Sequence, residues 1–116
     1  LAPIRESYQT GEPIEWVRVH DLPDYAYFNH AVHVKRGVGC ASCHGRVDKM
    51  PLTWQVGDLT MGWCLDCHRS LERHLRPPDK VFEMGWEPPE DQLERGRALA
   101  AEQNIETLQS CSYCHR

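Results

Sequence analysis

Residues 40–44 read Cys-Ala-Ser-Cys-His, and the same Cys-x-x-Cys-His frame recurs as Cys-Leu-Asp-Cys-His at 64–68 and as Cys-Ser-Tyr-Cys-His at 111–115. The three frames use all six cysteines of the 116-residue chain. Two thiols three positions apart on a helical turn can each form a thioether with one vinyl group of a haem, and the histidine that follows then lies under the iron. The repeated frame therefore predicts three covalently attached haem c groups.

This interpretation assigns a role to nine residues, namely haem attachment by Cys40, Cys43, Cys64, Cys67, Cys111 and Cys114 and proximal iron ligation by His44, His68 and His115. Other uses of six cysteines fit the pattern less well. A disulfide framework gives no reason for a histidine after every second cysteine. Zinc sites combine ligand pairs into sets of four, and three separate units do not divide in that way. A thioredoxin-like motif occurs once, on a βαβ pattern that this sequence lacks.

Four histidines lie outside the frames and can fill the sixth coordination position of an iron: His20, His30, His33 and His74. His30 and His33 are the strongest pair, because a spacing of three puts both side chains on one side of a helical turn. Each imidazole can then reach a different iron, which brings two haems close together. The third distal ligand is left open between His20 and His74, with Met61, whose thioether would raise the reduction potential, ranked behind them.

Composition narrows the classes of function that the chain can have. The net charge is -4, and only 41% of the residues are hydrophobic, so three haem macrocycles would add to a small apolar core. The basic residues are scattered, so no nucleic-acid partner is expected. No apolar run approaches the roughly 20 residues of a membrane-spanning helix. Because the sequence begins at Leu1 rather than Met, an export signal or an anchoring segment upstream is expected to have been removed or left out.

The predicted fold is mainly α with much irregular structure, as one small domain over 1–116 organised around three haems. Residues 1–27 are expected to form an extended N-terminal arm, because Pro3, Pro13 and Pro23 interrupt any helix. Residues 28–116 form the predicted haem-binding body.

Four segments of that body receive local predictions. A short helix is expected around His30 and His33, and the stretch 45–62 is expected to be a loop or a short hairpin. A longer helix should cover 61–75 and end before the prolines that follow. A helix that contains no Cys-x-x-Cys-His frame is expected over about 90–104. It has acidic residues in its first turn and is expected to pack over haem faces.

Several stretches resemble known multihaem cytochromes. The Phe-x-His-x-x-His pattern at 28–33, ahead of the first frame, is similar to the cytochrome c3/c7 class (class III), in which such a pair ligates two different irons. The stretches 16–33, 61–69 and 74–77 resemble the multihaem cytochrome c subunit of alternative complex III, a membrane quinol oxidoreductase, and related short triheme cytochromes.

The resemblance implies roles for the four spare histidines. His30 would serve the haem of the first frame, and His33 would serve a second haem. His20 and His74 fall inside matching stretches, which makes both of them ligand candidates.

Motifs and resemblance together predict an electron-transfer subunit on the periplasmic side of a bacterial membrane, without substrate chemistry of its own. Its expected donor is a quinol-oxidising or iron–sulfur subunit, and its expected acceptor is another cytochrome or a soluble carrier. Membrane association would come through a partner or an N-terminal anchor. A free periplasmic carrier or a unit of an extracellular cytochrome filament is the alternative. An enzyme with an open iron is disfavoured, since four spare histidines are available for three irons.

Overall fold

Short helices joined by irregular segments make up the computed structural model, which describes residues 1–115. The α-helices, in chain order, are α1 (Ala2–Thr10), α2 (His30–Lys35), α3 (Cys40–His44), α4 (Met61–Arg69), α5 (Gln92–Glu102) and α6 (Cys111–Cys114). Short 3-10 turns cover Val47–Lys49, Leu71–Arg73 and Pro78–Lys80. Over 1–115 the only β pairing consists of two isolated bridges. The predicted mainly α fold with much irregular structure is confirmed, whereas its organisation around three haems stays a prediction.

The N-terminal region is not the extended arm that the sequence predicted. Helix α1 starts directly after Leu1 with Pro3 in its first turn, where the backbone N–H that proline lacks would have no helical acceptor. The helix ends at Gly11, whose φ of 75° is left-handed and whose N–H donates to the carbonyl of Ser7. The prediction was wrong for this helix because Pro3 lies at the one place where a helix accepts proline. Residues 12–29 contain no helix, as predicted.

The expected helix around His30 and His33 is present as α2. The side chain of Asn29 caps it by accepting a hydrogen bond from the N–H of Ala31. The stretch 45–62 is largely irregular, as the loop alternative predicted, with a single 3-10 turn at Val47–Lys49 and the start of α4 at its end.

Helix α4 is shorter than predicted. Thr60 caps its start by accepting from the N–H of Trp63. The helix ends at Arg69 because Ser70 has φ −138° and ψ 50°, outside the helical region, and a separate 3-10 turn follows. His74 therefore does not continue the α4 helix, which corrects the prediction of one helix to residue 75. Helix α5 lies within the predicted range of 90–104.

Helix α5 packs against the Leu71–Arg73 turn. Leu75 and Val81 are the fully buried large side chains of residues 1–115. The side-chain amide of Gln92 donates to the carbonyls of Glu72 and Leu75, each at 2.8 Å, and so ties α5 to the turn. None of the helices within 1–115 has the length and apolarity needed to cross a membrane.

Candidate functional site

Each Cys-x-x-Cys pair lies on a single helical turn, in α3, α4 and α6 respectively. The six cysteines are free thiols, so both sulfurs of each pair are available on the same turn. The histidine of each frame follows its second cysteine directly: His44 ends α3, His68 lies in the last turn of α4, and His115 comes just after α6. This is the local geometry that the frame predicted for haem attachment.

His30 faces the proximal histidine of the first frame. The imidazole rings of His30 and His44 are within 9° of parallel, and their centroids are 6.2 Å apart. A metal–imidazole bond is about 2 Å long and a ring centroid lies about 1 Å behind its nitrogen, so two imidazoles on opposite sides of one metal have centroids about 6 Å apart. The separation of His30 and His44 thus fits the two axial ligands of one iron.

His33 forms a similarly spaced pair with the second frame, in which the two rings are inclined by 60° to each other. Its ring centroid is 6.1 Å from that of His68. The Nδ1–H of His33 donates to the carbonyl of Asn29 at 2.9 Å, and the Nδ1–H of His68 donates to the carbonyl of Leu108 at 2.8 Å. Metal-binding histidines usually donate their other ring N–H to such a carbonyl, which fixes the ring and leaves Nε2 free for the metal. These hydrogen bonds make His33 and His68 suitable ligands.

One aromatic side chain contacts both distal histidines of these pairs. The ring of Phe28 lies 4.7 Å from that of His30, edge to face, and 4.5 Å from that of His33. Its contacts restrict the orientation of both imidazoles. No separate role was predicted for Phe28 from the sequence, although its position two residues ahead of His30 was a usable signal.

The third frame is hydrogen-bonded to the segment that precedes α2. The Nδ1–H of His115 donates to the carbonyl of Tyr25 at 3.1 Å, and the N–H of Tyr27 donates to the carbonyl of Cys114 at 2.8 Å. An isolated bridge joins Ala26 to His115. These contacts fix the ring of His115 as the carbonyls fix those of His33 and His68. Among the ring contacts of residues 1–115, none pairs His115 with a second histidine.

His20 lies beside the first frame. Its ring is edge-on to that of His44 at a centroid distance of 4.4 Å, which is too short for two ligands on opposite sides of one metal. The Nε2 atom of His20 is buried and has no hydrogen-bond partner. The structure thus brings His20 to the site without pairing it with a proximal histidine across an iron.

The other two candidates for the third distal position lie elsewhere on α4 and the turn after it. His74 lines a surface cavity of about 370 Å³, together with Asp66, Arg69, Ser70 and Arg73. Burial lowers the pKa of His74 from its ordinary value. Met61 is the first residue of α4 and is 66% exposed. Neither the cavity nor the helix start contains a proximal histidine, so the third distal ligand stays a prediction.

The two histidine pairs fit a haem iron better than a bare ion. Over residues 1–115, no group of three or more His, Cys, Asp and Glu side chains is arranged to hold a metal ion. A bare zinc ion takes three or four protein ligands, whereas a haem iron takes only axial ligands from the protein because the porphyrin supplies the other four nitrogens.

Comparison with known proteins agrees with this geometry. The family profile described as cytochrome c3 matches residues 32–116, which include all three frames. The chain belongs to the cytochrome c3 family. Among curated proteins, no relative matches this cytochrome. Membership confirms the coarser part of the sequence-based prediction, that of a multihaem cytochrome with covalently bound haem c that serves in electron transfer.

Five of the six thiols in the cytochrome's frames are partly buried, and that of Cys111 is exposed. Burial raises the pKa of Cys43 and Cys64, and it raises that of Cys67 to about 11. Neighbouring thiols add to each shift: Cys64 and Cys40 act on Cys43, Cys114 acts on Cys64, and Cys43 and Cys64 act on Cys67. The three frames are thus close enough for their sulfurs to interact electrostatically.

The surroundings of His44, the predicted proximal histidine of the first frame, lower its pKa. Burial lowers the pKa of His44, and the neighbouring His20 and His30 lower it further. Neutral imidazole is the form that binds a metal. The surroundings of His44 therefore favour the state that ligation requires.

Proposed function

We propose that this cytochrome is an electron-transfer subunit with three haem c groups on the periplasmic side of a bacterial membrane. In this proposal it takes electrons from a quinol-oxidising or iron–sulfur subunit and gives them to another cytochrome or a soluble carrier. The observation that carries the proposal is the spacing of two pairs of imidazoles, His30 with His44 at 6.2 Å and His33 with His68 at 6.1 Å.

In this proposal, cysteines and histidines of the site have different roles in holding the haems. The cysteines of each frame would attach one haem, and the paired imidazoles would bind two of the irons on both faces. His115, whose ring is oriented by the carbonyl of Tyr25, would bind the third iron. When bound, the haems supply reversible one-electron transfer. If His30 and His44 held one iron and His33 and His68 held another, a small substrate would find no open position at either iron, which favours a carrier over an enzyme.

Helix α2 supports rapid exchange between two of the sites. His30 and His33 are three residues apart on it, a spacing that separates side-chain origins by only about 5–6 Å. The ring of Phe28 contacts both imidazoles. Irons held by His30 and His33 would both lie against this short helix, which favours short electron-transfer distances.

The periplasmic location is argued from chemistry. Attachment of haem to a Cys-x-x-Cys-His frame requires reduced thiols and an assembly system on the export side of the membrane. Association with that membrane through a partner subunit or an N-terminal anchor is part of the proposal. Copurification of the native cytochrome with membrane subunits would support it, and recovery only as a free chain would favour a diffusible carrier.

Intact mass of the denatured protein tests the number of haems. We expect the mass of the bare chain plus three covalently bound haems, because thioethers survive denaturation. Replacing Cys111 and Cys114 by serine should remove one haem. Ser112→Ala is the matched control within the same frame and should keep all three. A mass equal to that of the bare chain would refute the proposal.

A further inference from the structure

Arg76 is the only buried charged residue among residues 1–115, with 4% exposure. Its backbone N–H donates to the carbonyl of Gly37 at 2.9 Å, which fixes the chain alongside the residues that lead into the first frame. The side chain then crosses Gly39, where a Cβ would overlap the guanidinium. The cation thus lies directly against the start of α3.

All the groups that contact the guanidinium directly are uncharged. Its Nη2 donates to the hydroxyl of Ser42 at 3.1 Å, and its Nη1 donates to the carbonyls of Glu83 at 3.2 Å and Lys80 at 3.4 Å. The ring of Trp86 lies 4.5 Å from Cζ. The Nε atom is buried without an acceptor. Ser42 stands between the two cysteines of the first frame, so the guanidinium contacts the haem-attachment turn itself.

No carboxylate forms an ion pair with this cation in the described part of the chain. The carboxylate of Glu83 pairs with Lys80 Nζ at 2.9 Å instead. Burial lowers the pKa of Arg76, while the charges of Cys40 and Glu83 oppose that shift. Arginine nonetheless stays protonated in proteins.

Burying a cation without an opposite charge beside it costs several kcal/mol, and a neutral side chain could make comparable packing contacts at lower cost. Packing alone therefore gives little reason for a guanidinium here. A positive charge held in a region of low dielectric does act strongly on other charges nearby.

We propose that Arg76 is a positioned cation that raises the reduction potential of the haem attached at Cys40 and Cys43, an inference that rests on the proposed function. The ferric form of that haem carries one more positive charge than the ferrous form produced when one electron arrives from a donor protein. A fixed cation at the attachment turn repels the ferric form more than the ferrous form. The electron is therefore held more tightly at this haem than it would be without Arg76.

Potentiometric titration of the haem-loaded protein, followed by low-temperature EPR, tests this inference. Arg76→Met removes the charge, and Arg76→Gln removes it while keeping a hydrogen-bond donor for Ser42. We expect both variants to weaken the affinity of the first haem for an electron at least tenfold, which is about 59 mV for a one-electron couple. The first haem is identified as the signal that becomes high-spin in His30→Ala.

Arg97→Met is the matched control, because Arg97 is an exposed arginine of α5 that forms no ion pair in the described part of the chain. It changes the net charge equally, yet its charge faces solvent and is screened. The first potential should move much less than in Arg76→Met. An equal change in the control, or a uniform change at all haems in Arg76→Met, would overturn the inference.

Arg76→Lys separates charge from packing. Lysine keeps the positive charge but lacks the fork that reaches three acceptors. We expect a lower melting temperature with a first potential close to that of the unmodified cytochrome. If the potential of Arg76→Lys falls as far as that of Arg76→Gln, the effect is structural and the inference fails.

The two proposals can fail separately. Absence of three haems from the mass of the unmodified chain would refute the proposed function itself. Three haems whose potentials do not respond to Arg76→Gln would refute only the role of Arg76.

Discussion

His30 and His33 are placed to bind different irons, and this assignment can be tested one side chain at a time. The first faces His44 and the second faces His68, at nearly equal distances. We expect His30→Ala and His33→Ala each to convert one haem from low spin to high spin, because alanine leaves the sixth position without its imidazole. Low-temperature EPR of the oxidised protein should show a different low-spin signal missing from each variant.

Phe28→Leu provides the companion experiment to these two replacements. It keeps both imidazoles but removes the ring that lies 4.7 Å from His30 and 4.5 Å from His33. Both low-spin signals should remain and broaden, since neither the His30 nor the His33 imidazole is then held as firmly in its orientation. If His30→Ala and His33→Ala abolish the same signal, the assignment of one histidine to each frame is wrong.

Among the elements, those specified by local chemistry could be predicted from the sequence. The short helix at His30–Lys35 and the helix Gln92–Glu102 were predicted, since spacing and first-turn charge mark them. Helix Ala2–Thr10 was missed because Pro3 was treated as a breaker, although it lies in the first turn. The end of α4 at Ser70 was missed because the turn that follows is held by α5, twenty residues away in sequence. Contacts of that range leave no local pattern.

Two helical glycines with different surroundings test how α5 is held in place. Gly96 is buried, and a Cβ there would overlap the carbonyl of Glu72. Gly96→Ala should therefore destabilise the protein by about 1–3 kcal/mol, because the added methyl group would push α5 away from the backbone of Glu72. The matched change Gly62→Ala, in α4, meets nothing closer than 4.0 Å and should be neutral or stabilising by up to about 1 kcal/mol. Thermal unfolding monitored by circular dichroism measures both changes, and equal shifts would contradict the close packing of α5.

At the scale of the whole molecule, three irons would offer six axial positions, and the chain has seven histidines. The two facing pairs and His115 account for five positions, which leaves one for His20, His74 or Met61. The sequence could identify this shortlist but could not choose from it, since the choice depends on how the segment 12–29 folds back over the frames. We predict His20 for this position because its Nε2 is buried without a partner, whereas Met61 is 66% exposed.

The folding of the N-terminal segment strengthens the case for His20 as the third distal ligand. The residues just after it are bound to the third frame, through Tyr25, Ala26 and Tyr27, and five residues of chain can span about 17 Å. We expect His20→Ala to make the haem at Cys111 and Cys114 high-spin, while His74→Ala and Met61→Leu leave all three low-spin. EPR of the three variants decides among the candidates. A high-spin haem in His74→Ala with none in His20→Ala would show that the turn after α4, rather than the N-terminal segment, completes the third site.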